Sequence, residues 1–566
     1  MKKVLIFILM MLLSVNVFYA KDRVDSIMRK MSLREKVAQI FIVGYSSRYN
    51  QEKIIEIEEL IKKEKIGGLI VMFDDIYPST ELANHFQSVS KLPLIMTIDA
   101  EWGVAMRFDK ELTSFPRQMQ LGALSSDDLI YKMGKAMAEQ CIRTGFQVNF
   151  APDVDINNNP NNPVINTRSF GENKEKVARY ASALMHGLQD GGVFTSAKHF
   201  PGHGDTDADS HTSLPVLRFS KERLDSLELY PFRKMIKEGV DMIMIGHLDV
   251  PAYDSTGTPS SLSYPIITEL LRNKLGYDGI IITDALGMQG VATHLNSEEI
   301  SLAAYKAGCD FILMPDHEKE SIKRIVKAIR RGEISRKSLD MRVRKMLELK
   351  LKAGLFSQKQ VIDTTNIIND LESPEILELM NKIAEQSITM IKAPEGTNSS
   401  AILPMIRNSS KSCAFVGIGD VCSKELAEKL NKYQSIDTAF LRNGYTMDDL
   451  DFIRNTVSDK DYVIVSIHNT DQRPLRHFGL DQKTIDYIST WSKEQKIIFV
   501  YMGSPYAFEL INHKAFDSII IGYTNTLPNC NAVAKILEGE IPALGVLPVR
   551  IGDLPAGSNY KSNKVE

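Results

Sequence analysis

The chain has little cysteine, no long run of charge of one sign, and no low-complexity tract or solenoid repeat in its 566 residues. Its five cysteines, Cys141, Cys309, Cys413, Cys422 and Cys530, are odd in number, sparse and without a CxxC pair. They therefore make neither a disulfide framework nor a cysteine metal site, and only a bridge between Cys413 and Cys422 stays undecided. The 68 basic and 71 acidic residues leave a formal charge of −3, which gives no electrostatic footprint for nucleic acid or an anionic membrane. Gly417-Ile418-Gly419-Asp420 lacks the third glycine of a dinucleotide fingerprint and reads as a tight strand-to-helix turn. The N-terminal apolar run, Val4 to Leu13, falls short of the roughly 20 residues that span a bilayer. With Lys2-Lys3 before it and Ala20 ahead of Lys21-Asp22-Arg23, it has the pattern of a signal peptide over residues 1–20; an uncleaved anchor is the alternative. No cysteine lies nearby to carry a lipid.

What is present is enough apolar residue, 43%, to bury more than one core. Short apolar runs of strand character recur at Val37 to Gly44, Gly67 to Phe73, Leu94 to Asp99, Val148 to Ile156, Val193 to His199, Met242 to His247, Gly279 to Asp284 and Phe311 to Pro315. Stretches between them, such as Lys174 to Asp190 and Lys221 to Glu238, repeat apolar residues at three- and four-residue spacing. Strands alternating with amphipathic helices predict a parallel sheet covered by helices, and eight such strands predict a (β/α)8 barrel. Residues 21–356 form this predicted barrel, ending in a helix over Ser338 to Leu355. A polar linker over 357–374 follows. Residues 375–566 then read as a smaller doubly wound α/β domain, with a helix near Glu375 to Gln386 and strands at Ala414, Ala439, Tyr462, Ile497 and Ser518.

Polar residues gather at the carboxyl ends of the barrel strands: Asp99, Asp153 and Asp155, His199, His247 and Asp284. That end of a barrel carries active sites. The segment Lys198 to His211, KHFPGHGDTDADSH, packs three histidines, three aspartates and a lysine behind a buried strand, the composition of an active-site loop. Taken singly, each of these groups suits a satisfied core histidine or a capping aspartate. Together, Asp99, Arg107, Arg168, Lys198, His199, His211 and Asp284 aim a surplus of donors and acceptors at one place. A polyhydroxylated ligand needs that surplus, because every hydroxyl taken from water must be matched.

Cleaving a glycosidic bond requires an anion beneath the anomeric carbon and a proton donor beside the leaving oxygen. Asp284, at the tip of Ile280-Ile281-Ile282-Thr283, suits the first role. His211 suits the second, since Asp209 is placed to accept from one ring nitrogen and leave the other for chemistry.

These motifs carry a family resemblance. TIDAEWG (97–103), FAPDVDI (150–156), TRSFGE (167–172), KHFPGHGDTDADSH, LGYDGIIITDALGM (275–288) and AGCDFILMP (307–315) resemble glycoside hydrolase family 3. EQSITMIK (385–392) and GVLPVRI (545–551) extend the likeness into the second domain. Within the family the chain is most similar to bacterial exo-β-N-acetylglucosaminidases. The resemblance implies that Asp284 forms a covalent glycosyl-enzyme, that His211 with Asp209 is the acid/base, and that Asp99, Arg107, Arg168, Lys198 and His199 bind the terminal sugar. It implies no cofactor and no metal, a carbohydrate partner such as a muropeptide, and a periplasmic setting for peptidoglycan turnover. The DSH at 209–211 points to N-acetylglucosamine, because broader β-glucosidase members lack it. Trp102 stands where many relatives have glycine, and Ala285 where many carry a second aspartate. Other readings are a β-glucosidase, a phosphorolytic enzyme exploiting an imidazole base that does not repel phosphate, a metal hydrolase built on His199, His203 and His211, and a sugar-binding protein without turnover.

Overall fold

The computed structural model describes residues 22–561 apart from 109, 211–212, 292–294, 358–359, 394–401, 409, 420 and 434–435. Residues 1–20 and His211 therefore lie outside the described residues. The first sheet has eight parallel strands: β1 (Phe41–Tyr45), β2 (Gly68–Val71), β3 (Ile95–Ile98), β4 (Val148–Asn149), β5 (Phe194–Phe200), β6 (Met242–Ile245), β7 (Ile280–Thr283) and β8 (Ile312–Leu313). Their order is β7-β6-β5-β4-β3-β2-β1-β8, and a bridge between Ile282 and Phe311 joins the two ends into a barrel. Runs such as Met242-Ile243-Met244-Ile245 are buried at every position, as strands covered by side chains inside and helices outside must be.

The helices follow from their spacing. Lys174–Asp190 turns Val177, Ala181, Leu184 and Leu188 inward at three- and four-residue steps, and Asn173 caps it by accepting from the Lys176 amide at 2.8 Å. Two predicted strands differ in extent. Val37 and Ala38 belong to the helix Leu33–Ala38, because Ser32 and Glu35 form a reciprocal capping box that starts a helix there. The run from Val148 leaves the sheet after Asn149. Pro152 has no amide to donate, and Asp153 keeps only a single bridge to Lys198.

The second sheet comprises β9 (Thr389–Lys392), β10 (Cys413–Ile418), β11 (Asp437–Leu441), β12 (Tyr462–Ile467), β13 (Lys496–Tyr501) and β14 (Ser518–Ile521). It runs β11-β10-β12-β13-β14-β9, parallel except for β9. Alternate residues divide between two cores: Val463, Val465 and Ile467 pack on one face, and Ile464, with Ile498 and Val500, on the other. None of the five cysteines is paired in a disulfide, Cys413 and Cys422 included. Among the described residues no helix is long and apolar enough to cross a membrane.

The segment between barrel and second sheet is anchored. Arg143 of the barrel donates to the Thr365 carbonyl and the Asp370 carboxylate at 2.7 Å each, and Ile367, Leu371, Ile376 and Met380 join the barrel's core. The second domain also reaches back. Val546 N donates to Ala123 O at 3.0 Å, Glu172 N to Pro548 O at 3.2 Å, and Arg550 N to the Glu172 carboxylate at 2.8 Å. The GVLPVRI and TRSFGE segments thus meet across the domain boundary.

Candidate active site

At the carboxyl end of β3, Asp99 receives Arg107 Nη2 at 2.5 Å on one oxygen and Lys198 Nζ at 2.8 Å on the other. Burial pushes its carboxyl up, but the charges of Lys198 and Arg107 outweigh that and hold it at about 2. Glu101, fully buried two residues on, takes Lys198 Nζ at 2.8 Å and a two-pronged Arg168, Nε at 3.0 Å and Nη2 at 2.8 Å. Burial again opposes ionisation and again loses, this time to Arg168 and Lys198. Lys198, only 2% exposed, is the shared cation between the two carboxylates, and their attraction raises its pKa against desolvation.

His199, next on β5, sets its Nδ1 2.8 Å from Asp155 Oδ2 and its Nε2 3.3 Å from Arg168 Nη2. A guanidinium only donates, so in the neutral ring Nε2 accepts and Nδ1 carries the proton to Asp155. The other Asp155 oxygen accepts the His203 amide at 2.6 Å. Asp153 lies beside this pair with its Oδ2 buried and without a hydrogen-bond partner. Burial and the neighbouring Asp155 charge push its carboxyl well above the usual range.

Asp284 follows β7. Its Oδ1 accepts the Ala285 amide at 2.8 Å, and the Ala285 carbonyl lies 3.0 Å from His247 Nε2, whose Nδ1 is 2.7 Å from Ser261 Oγ. Burial raises the Asp284 pKa, but His199, His247, the Ala285 amide and Lys198 more than offset it, so the carboxyl is held ionised. Asp284, Asp99 and Arg107 line one cavity of about 860 Å³ with Phe73, Met244 and Met288, large enough for a sugar and part of an aglycone. Arg107 lies over the Phe73 ring at 4.9 Å, and Arg117 over the Trp102 ring at 4.0 Å. Trp102 is thus tied back by a cation at the edge of the cluster.

The structure brings together Asp284, Asp99, Arg107, Arg168, Lys198 and His199. Asp209 is placed on the loop beyond β5, where its carbonyl accepts the Ser213 amide at 2.9 Å. Glu101 was visible in the DAEWG segment but carried no expected role; its partner Arg168 lies 67 residues away, a relation no local spacing reveals. Asp153, Asp155 and His199 place one ligand atom each within 4.8 Å of one another. Arg168, 3.6 Å from Asp153 and 3.3 Å from His199, already supplies the positive charge there. His203 has both ring nitrogens on hydroxyls, Nδ1 at 2.9 Å from Thr206 and Nε2 at 3.0 Å from Ser210. Neither His199 nor His203 thus keeps a ring nitrogen clear of a protein partner, so the pair fits a positioning role better than a metal one.

A barrel whose carboxyl end holds an ionised aspartate beside a clamp of charged hydrogen-bonding groups suits a glycoside hydrolase. The chain belongs to glycosyl hydrolase family 3: the model of that family's N terminal domain matches residues 32–349. Beta-hexosaminidase A of Pseudoalteromonas piscicida is 28% identical over 555 residues, covering 88% of this chain and 91% of that one. A beta-hexosaminidase of Neisseria meningitidis serogroup C (strain 053442) is 33% identical over 259 residues, 44% of this chain and 71% of its own. Among solved structures, a glycoside hydrolase family 3 beta-N-acetylglucosaminidase from Paenibacillus sp. str. FPU-7 superposes with a TM-score of 0.77 at 29% identity, covering 92% of this chain and 99% of that one. The beta-glucoside phosphorylase BglX, at 19% identity and a TM-score of 0.78 over 94% of this chain and 96% of its own, shares the fold.

Proposed function

We propose that this glycoside hydrolase is a retaining exo-enzyme that releases terminal β-linked N-acetylglucosamine, with Asp284 as nucleophile and His211, oriented by Asp209, as acid/base. The observation that carries the reading is the ionised Asp284 carboxylate on the cavity that Asp99 and Arg107 share. In the first displacement an Asp284 oxygen bonds to the anomeric carbon while the His211 imidazolium protonates the departing oxygen. In the second, the neutral imidazole takes a proton from water, whose oxygen replaces Asp284 and restores the original configuration. Asp99, Arg107, Lys198, His199 and Arg168 hold the sugar hydroxyls. The names borne by the relatives support the acetamido sugar, and DSH at 209–211 supports an imidazole acid/base. Peptidoglycan fragments in the periplasm are the proposed natural substrates, reached by export through the N-terminal signal.

The test is turnover of aryl β-N-acetylglucosaminide against aryl β-glucoside in phosphate-free buffer, by the wild type and by Asp284→Asn. Selective turnover of the acetamido sugar, lost by at least about 10³-fold in the variant, is expected, with the β-anomer released first. Equal turnover of both sugars would overturn the substrate assignment, and an active Asp284→Asn the nucleophile.

A further inference from the structure

His203, set aside as a metal ligand, has another place in the loop. Its amide is held by Asp155, and its ring lies within the loop that continues to Asp209 and His211. Thr206 Oγ1 donates to the His203 carbonyl at 3.2 Å, so that oxygen accepts from His203 Nδ1 at 2.9 Å. The remaining nitrogen, Nε2, is then the acceptor for the Ser210 hydroxyl at 3.0 Å. Burial lowers the ring's pKa to about 4, so one neutral tautomer persists at neutral pH.

Ser210 is held from its other side as well. Its carbonyl accepts the amide of Gly290 at 3.0 Å, from the short turn Gln289–Val291 that follows the strand bearing Asp284. That approach needs glycine: a Cβ at 290 would lie 2.2 Å from the Ser210 oxygen and 2.8 Å from that of Ser213. Ser210 is the residue between Asp209 and His211. We propose that His203, Ser210 and Gly290 form a latch that ties Ser210, the residue preceding His211 in sequence, to the turn that follows Asp284, making all three positioning residues for proton transfer to the leaving group. This rests on the assignment of His211 as acid/base.

The test reads kcat/KM, which reports the first displacement alone, across aryl β-N-acetylglucosaminides of rising leaving-group pKa, for the wild type, Ser210→Ala, Gly290→Ala and His211→Asn. Acid catalysis matters most for poor leaving groups, so Ser210→Ala and Gly290→Ala are expected to lose about tenfold or more on a methoxyphenyl glycoside and less than about threefold on a dinitrophenyl one. His211→Asn is expected to follow the same slope more steeply. A steep His211→Asn series beside flat latch variants would overturn the latch alone. A flat His211→Asn series would overturn the acid/base assignment on which the latch depends. A uniform loss by Ser210→Ala across all leaving groups, in protein of unchanged melting temperature, would also overturn the latch, because damage unrelated to proton transfer has no leaving-group slope.

Discussion

Glu101 is a buried carboxylate shared by the buried Lys198 and the partly buried Arg168, and removing its charge leaves both without their common counter-ion. Breaking one side of a buried ionic group costs about 3–5 kcal/mol, mostly because the abandoned charge stays desolvated. Glu101→Gln is therefore expected to lower the unfolding free energy measured in urea by that order, and to raise KM as Arg168 leaves its position against His199. A variant of unchanged stability would show that the cations find other partners. Asp99 carries a pH consequence of fixed sign. Its folded pKa of about 2 lies below the unfolded value of about 3.9, so the stabilisation is complete above about pH 4 and disappears as pH falls through 2. The loss is on the order of 2 kcal/mol. Unfolding free energies at pH 5, 4, 3 and 2 should change little between the first two and fall below pH 4 in the wild type, and lose this component in Asp99→Asn.

At the scale of elements, legibility followed the range of the forces involved. The eight barrel strands were readable because a strand buried on both faces is a continuous apolar run, and their polar tips located the site without knowledge of any contact. Edges were less readable. The helix Leu33–Ala38 takes Val37 because a capping box four residues long, Ser32 to Glu35, outweighs the apolar continuation into β1. Strand β9, four residues directly after the helix Pro374–Ser387, has no pattern of its own; it exists because β14 offers an antiparallel edge from some 130 residues away. The site divides in the same way. Asp99, Lys198, His199 and Asp284 announce themselves at strand ends, whereas the couplings of Glu101 to Arg168, of Asp155 to the His203 amide, and of Ser210 to Gly290 join segments remote in sequence. Proton and charge placement in this protein are properties of those couplings more than of any one motif.

Across the whole molecule, the second domain acts as a brace for the loops that carry the site. Tyr506 Oη donates to the Asn157 carbonyl at 2.8 Å and accepts from its side-chain amide at 3.0 Å, two residues beyond Asp155. Pro548 abuts Gly171, three residues beyond Arg168, so closely that a Cβ there would lie 2.2 Å from its carbonyl oxygen. On the barrel side, Met119 and Ala123 pack in the second domain's core, and Gln120 shares hydrogen bonds with Asn529 at 2.9 and 3.2 Å. A barrel ending at Phe356 would expose those apolar side chains and leave Gln120 and Asn157 without these partners, each such buried polar group costing about 1–3 kcal/mol. The full chain is accordingly expected to unfold in one calorimetric transition, because neither part keeps its core alone. The barrel truncated after Phe356 should be insoluble or inactive. Two resolved transitions, or an active truncated barrel, would mean that Asp155 and Arg168 are held from within the barrel and that the brace is dispensable.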